Sequence, residues 1–280
     1  MLIEELWSDA DEARAESCVR AASHGDLTAA LFAIEGVPPD AIAADTETLE
    51  SWGHRVAAHF AGDFSAAGVA RALATVLGQE LGFRGDTDDY YHARNSHLHE
   101  VIARRRGLPI LLSVVWMQVG AAAGVHVEGV SLPGHFIVRV AGEVLADPFG
   151  GGRVLEVEDC KRIVDELSQG KIPWSDDLLA PSSVAQIVER VLQNLVNSAS
   201  IGHRQPPSGA EHVFRTLGFL VKLRPDAPAY FLNRAIAAER VGAQRLADDA
   251  FAEVARRFPG SREARIAERR RTGGASRLLN

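Results

Sequence analysis

A helix-rich α+β fold follows from three features of the 280-residue chain. Apolar residues recur at helical spacing up to about residue 80 and again from about residue 183. Between these stretches, after Gly124, the period switches from helical to alternating, the mark of a short run of strands. Glycine and proline punctuate that middle stretch at the points where elements must end. The chain divides on this reading into a helical region over 1–81, an α+β core over 82–165, a second helical region over 183–268 and a basic tail over 269–280.

The bulk properties narrow the function classes. A formal net charge of −7 argues against nucleic acid as a partner, since a phosphate backbone favours clustered Lys and Arg. The local exception, Arg265, Arg269, Arg270 and Arg271, reads as a solvated helix end running into a tail. Two cysteines far apart, Cys18 and Cys160, make no disulfide framework and fit a reducing compartment. The acidic N-terminus lacks the basic start of a signal peptide. The longest uncharged run, Leu108 to Val125, contains Ser113, Gln118 and Gly120 and reads as a buried core helix rather than a membrane span. The expectation is a cytoplasmic protein without membrane contact, cofactor or metal.

The elements follow in order. Leu49, Trp52, Val56 and Phe60 recur at spacings of three and four, as do Val69, Leu73, Val76 and Leu77. Gly36-Val37-Pro38-Pro39 breaks the first helical stretch. Gly82 to Tyr91 is loop-like, and Asn95 or Ser96 caps a helix with the stripe Leu98, Val101 and Ile102, ended by Gly107. Pro109 opens the next helix, where a missing amide costs nothing, and Gly124 stops it. Val125–Ser131, His135–Arg139 and Glu143–Asp147 alternate as strands. A three-residue loop Val140-Ala141-Gly142, with glycine left-handed, suits these residues better than a two-residue turn. That loop sets His135 opposite Asp147, with Cβ atoms roughly 5 Å apart, so that a carboxylate can hold the imidazole. Asp165 to about Ser182 reads as a linker. Ser183 and Gln186 form a capping box. In Tyr230–Pro259 the residues Phe231, Ala235, Ala238, Ala247, Phe251 and Pro259 fall at tetratricopeptide spacing. A weaker copy, with Val213, Leu217 and Leu220, ends at Pro225 after a turn loosened by Gln205–Gly209.

Several motifs in order, Gly85-Asp86-Thr87-Asp88-Asp89-Tyr90-Tyr91, Arg94-Asn95-Ser96, Arg105–Ile110, Pro133-Gly134-His135-Phe136 and Asp147-Pro148-Phe149, resemble the SirB-type branch of the transglutaminase-like superfamily. The resemblance covers roughly residues 40 to 260. It implies a papain- or transglutaminase-like core followed by tetratricopeptide-like helices. It also implies a catalytic histidine at His135, an aspartate at Asp147, and a nucleophilic cysteine at the start of the core helix. Counting back from Gly124 puts that cysteine position at Leu108 or Pro109, neither of which can attack a carbonyl. SirB-type sequences resemble this one in lacking the cysteine.

Three readings of the site stand side by side. In the first, the chain has lost cysteine chemistry. It binds a peptide or small ligand at a cleft around His135, with Asn95 and Gly134 as binding positions, and a partner protein or peptide through the C-terminal helices. In the second it is a hydrolase or amidase, with His135 as general base and Ser113 or water as nucleophile; Cys160 is a further candidate, against its reading as a buried structural thiol. In the third the His135–Asp147 pair is only structural. His92, His97 and His99 do not share one helix face, and the Asp86–Asp89 segment lacks the other ligands of a calcium loop, so both read as turn and cap residues.

Overall fold

The computed structural model describes residues 6–60, 62–201 and 208–277. The described chain forms two compact units, one made by residues up to His24 together with those from Leu192 onward, the other by Gly25–Val191. The 1–81 helical region is therefore divided. Helix α1 (Asp9–Ser23) packs within the C-terminal helical unit, because Trp7 lies on Gly218 and Glu12 pairs with Lys222 there. Everything from Gly25 to residue 81 serves the core instead.

In the Gly25–Val191 unit, α2 (Leu27–Glu35) is capped by Asp26, whose Oδ1 accepts from the Ala29 amide at 2.9 Å, and it ends at left-handed Gly36. Helix α3 (Pro39–His59) starts with proline at its first position and buries Leu49, Trp52 and Val56. Helix α4 (Ala66–Leu73) continues into a π-helical segment, Ala74–Glu80, and the expected stripe Val69, Leu73, Val76 and Leu77 is buried. The loop after it is not wholly irregular: β1 (Arg84–Gly85) pairs in parallel with β2 (Arg106–Gly107).

Helix α5 (Leu98–Arg104) buries Leu98, Val101 and Ile102, but its boundaries differ from expectation. Its N-cap is His97, because Asn95 and Ser96 turn in a preceding 3-10 segment, Ala93–Ser96. It stops at Arg105 (φ 58°), two residues short of Gly107; Gly107 is required instead by its contact with Val101, whose Cγ2 would lie 2.6 Å from an added Cβ. Helix α6 (Pro109–Ala122) begins at Pro109, is buried on all sides except near its end, and is followed by left-handed Gly124.

The sheet is antiparallel, in the order β3 (Val127–Val130), β4 (Ile137–Val140), β5 (Val144–Asp147), β6 (Arg153–Leu155). The β4–β5 loop has three residues, as expected, but shifted by one: Val140 pairs with Val144 and the loop is Ala141-Gly142-Glu143. Both Ala141 (φ 51°) and Gly142 (φ 76°) are left-handed, and the Glu143 amide donates to the Val140 carbonyl at 3.1 Å. An alanine accepts the strained position because that turn then closes with its own hydrogen bond. Helix α7 (Val157–Ser168) extends into the stretch read as linker, and sets Cys160 and Val164 against Val130, Ile137, Leu145 and Leu155.

The other unit is helical throughout its described residues: α1, then α8 (Val184–Ile201), α9 (Ser208–Leu223), α10 (Pro228–Arg240), α11 (Gln244–Arg257) and α12 (Arg262–Arg277). The boundary between the units falls within α8, between Val191 and Leu192. The capping box of α8 is formed, with the Ser183 amide donating to Gln186 Oε1 at 2.8 Å and the Gln186 amide to Ser183 Oγ at 3.3 Å. Consecutive helices from α9 to α12 pack on one another, with Ala235, Ala238, Ala247 and Phe251 buried between them. The loosened turn before Ser208 lies outside the described residues, and the basic tail is helical to Arg277. Among the described residues no helix is long and apolar enough to cross a membrane.

Candidate functional site

Two turns bring the site together. Pro133–Gly134 reverses the chain before β4, with the His135 amide donating to the Leu132 carbonyl at 3.1 Å. Gly134 is exposed and left-handed (φ 76°), and an added Cβ would lie 2.9 Å from Leu167 Cβ, so the turn requires glycine there. At the end of β5 the chain turns again through Pro148–Gly152, and the Gly152 amide donates to the Asp147 carbonyl at 2.8 Å.

His135 Nε2 lies 3.1 Å from Asp147 Oδ1. They are not directly opposed, because the shifted loop places Asp147 across from Ile137 in the continued register. His135 is two residues further along, on the same face, so the pair meets diagonally. The expected pairing survives because the loop keeps three residues; a two-residue loop would have turned Asp147 to the other face. A carboxylate only accepts, so the imidazole donates from Nε2, which in a neutral ring leaves the lone pair on Nδ1. The same Oδ1 accepts from the Phe149 amide at 3.0 Å, which fixes the carboxylate. Among the described residues nothing hydrogen-bonds to Nδ1.

Aromatic rings flank the imidazole. Phe149 meets His135 edge-on at 5.9 Å, Tyr90 meets Phe149 at 6.1 Å, and Tyr91 meets Tyr90 at 5.2 Å and is exposed. Gly85 seats Phe149, since an added Cβ would lie 2.3 Å from the ring. Burial pushes the Tyr90 phenol above its ordinary range. Asn95 belongs to this scaffold and not to a ligand surface. It is fully buried, its Nδ2 donates to the carbonyls of Asp89 (2.8 Å) and Tyr90 (3.3 Å), and its Oδ1 accepts from Arg104 Nη1 at 3.0 Å. Arg104 also pairs with buried Asp86 at 2.8 Å, which together with the Asp89 amide accounts for the acidic loop.

One residue of the site escapes the sequence reading. Arg190, on α8, donates to Ser131 Oγ, to the Leu132 carbonyl and to the His135 carbonyl, the last two at 2.9 Å. Its guanidinium lies 5.8 Å from the Phe136 ring centroid. It clamps the turn that presents His135. The signal that could have found it is an arginine set among the buried apolar residues Ile187, Val188, Val191 and Leu192, where a charge needs internal acceptors.

Among the described residues no nucleophile hydrogen-bonds to the pair. Leu108 is the N-cap of α6 and Pro109 its first residue. Ser113 is fully buried, and its hydroxyl donates at 3.5 Å, a marginal distance, to the Phe136 carbonyl rather than to the imidazole. Burial pushes the Cys160 thiol up to about 11, with Asp159 and Asp147 adding to the shift, and the side chain is sealed in the sheet–α7 core. Burial also pushes Cys18 up to about 12, in the helical unit. The three histidines between residues 92 and 99 are dispersed: His92 Nδ1 accepts from the Arg94 amide, His97 caps α5, and His99 Nδ1 meets Asp45 at 2.7 Å.

The chain is similar in sequence to several known proteins. The chain is 35% identical over 179 residues to a UPF0162 protein of Xylella fastidiosa (strain 9a5c), covering 61% of each chain. It is 30% identical over 172 residues to a UPF0162 protein of Pseudomonas aeruginosa, covering 56% of this chain and 63% of that one. F-box only protein 21 of Homo sapiens is 27% identical over 179 residues, 60% of this chain but 27% of that protein. The chain thus spans 61% of the length of the Xylella relative. No solved structure matches it. The family model described as transglutaminase-like superfamily matches residues 44–193, which hold the core helix, the His135–Asp147 pair and Arg190, and the chain belongs to that superfamily.

Proposed function

We propose that this is a SirB-type transglutaminase-like protein without cysteine chemistry, acting as a binding module at the cleft around His135. The observation that carries the reading is an ordered His135–Asp147 pair to whose imidazole no serine or cysteine side chain hydrogen-bonds among the described residues. Without a nucleophile, an imidazole with a free Nδ1 beside aromatic rings is a recognition group. It accepts a hydrogen bond from a peptide or small ligand laid along Phe149, Tyr90 and Tyr91. The F-box only protein 21 relatives support a modular use, because the shared stretch makes up only 27% of their length. The C-terminal helices, read as tetratricopeptide-like, hold a protein partner. The two free, buried cysteines suit the cytoplasm.

Serine- and cysteine-directed acyl probes, with a panel of esters and amides, test the reading. The expected result is no labelling of Ser113 or Cys160 and no turnover. Turnover that disappears in His135→Ala while the fold persists would overturn it in favour of a hydrolase. The free Nδ1 favours that second reading in one form only, with water as the nucleophile and His135 as general base, since Ser113 is turned away. The partner role requires a protein retained by the full chain and lost on substitution of exposed α10 positions such as Asn233.

A further inference from the structure

The far end of the core helix holds a second recess, formed by α2, α3 and the last turn of α6. Its volume is about 420 Å³, within the range of small-molecule sites. Phe32 and Leu49 are buried at its base, with Ala121 and Ala122 beside them. Two charged side chains line it, Asp26 and Glu50, and both are carboxylates. The other polar groups are Thr28, Thr46 and Gln118, and no Lys, Arg or His takes part.

These polar groups are largely unspent. Glu50, Thr28 and Gln118 make no side-chain hydrogen bond or ion pair among the described residues. Asp26 uses only Oδ1 for its cap, leaving Oδ2. The third negative element is the C-terminus of α6. After Ala123, Gly124 and Val125 have donated to the carbonyls of Val119, Ala121 and Gly120, the Ala122 carbonyl has no donor among the described residues. A helix C-terminus favours a cation. Gly53 lets α3 approach this end, since an added Cβ would lie 2.4 Å from Ala122 Cβ.

An apolar base lies under a rim whose two charged side chains are both carboxylates, and the positive N-terminus of α2 in that rim is already met by its Asp26 cap, which favours one chemistry. We infer that this recess binds a small alkylammonium ion, its chain on Phe32 and Leu49 and its charged head between Asp26, Glu50 and the end of α6. Pro109, at the head of the same helix, is about 20 Å away at 1.5 Å per residue. The recess is therefore separate from the His135 cleft, and the inference does not depend on what that cleft binds.

Titration of the full chain with pentylammonium, against the neutral alcohol of the same length, tests it by nitrogen-edited NMR. The expected result is saturable shifts confined to the amides of Thr28, Ala29, Thr46, Gln118, Ala121 and Ala122, with the alcohol much weaker. Glu50→Gln should lower the affinity about threefold to fivefold, as expected for a solvent-exposed ion pair. Asp26→Asn, which preserves the cap, should add to that loss in the double variant. Equal shifts with alcohol and amine, no saturable shifts, or an unchanged double variant would overturn the inference. A blocked lysine amide distinguishes the source: tighter binding than pentylammonium assigns a basic side chain of a peptide, weaker binding a free amine.

Discussion

Arg190 and Gly85 hold the two sides of the imidazole, and each can be tested alone. Burial pushes the Arg190 guanidinium below its ordinary range, yet it stays charged and has only neutral acceptors: one hydroxyl and two carbonyls. Arg190→Met leaves those carbonyls unpaired and should cost about 2–3 kcal/mol, read by urea unfolding, with faster amide exchange at Leu132–His135. Arg190→Lys should recover less than half of that, because one ammonium cannot replace a planar fork on three acceptors. A methionine variant as stable as the parent would refute the clamp. At Gly85, alanine would drive a methyl into the Phe149 ring, at a cost of about 1–3 kcal/mol. The ring should then leave the imidazole, and the His135 ring-proton shift should move towards its value in an unstacked histidine. If that shift stays put, Phe149 is not held by Gly85.

At the level of elements, the half-buried acid Glu35 ties α2 to the start of α5. Its Oε1 accepts from the Leu98 amide and its Oε2 from the His99 amide, the latter at 3.1 Å. Burial pushes the carboxyl up to about 7, outweighing those two hydrogen bonds and the His99 charge, while Asp45 adds to the rise. His99 is shifted upward, chiefly by its hydrogen bond to Asp45. For Glu35 the folded state binds more protons than the unfolded state between the ordinary value of 4.5 and about 7, so stability falls as pH rises through that window. His99 has the same sign: its contribution is full below its unfolded value of 6.5 and is lost as pH rises through its raised folded value. The Glu35 part amounts to at most about 3 kcal/mol at 1.36 kcal/mol per unit. Glu35→Gln should flatten most of this slope in urea midpoints measured across that range. A slope unchanged in the variant would assign the dependence elsewhere.

The same segment shows why some boundaries were legible in the sequence and others were not. Pro109 and Gly124 bracket α6 through backbone rules that need no tertiary context, and the structure places both as read. The capping box at Ser183 and the apolar stripe of α5 are equally local. The start of α5 is not local. Its first amides are taken by Glu35, more than sixty residues earlier, so Asn95 and Ser96 were free to turn in a 3-10 segment. The diagonal His135–Asp147 pair was legible because it depends on loop parity. The clamp from Arg190 was not, because no short-range pattern links a helix residue to a turn 55 residues before it.

The same distinction holds for the whole molecule, where sequence order and spatial grouping part company at the N-terminus. Helical periodicity assigns residues 1–81 to one region, but periodicity says which face is apolar and not what covers it. The cover is specified by Trp7. Its ring lies where a Cβ on Gly218 would sit, 2.2 Å from the nearest ring carbon, and it meets Phe219 edge-on at 5.8 Å. Arg234 lies 4.9 Å from the Trp7 ring and 4.5 Å from Phe214, and Trp7 Nε1 donates to Glu12 at 2.8 Å. Glu12 in turn pairs with Lys222. Trp7→Ala should therefore cost about 3 kcal/mol of large-to-small packing energy, and the loss should be confined to one unit. Hydrogen exchange should accelerate in α1 and α9–α11 and leave the amides of α6 and the β3–β6 sheet at their original protection, because separate compact units open with separate free energies. Uniform acceleration across both sets of amides would show instead that the chain unfolds as one cooperative body, and that the N-terminal helix stabilises the His135 core as much as the helices on which it is packed.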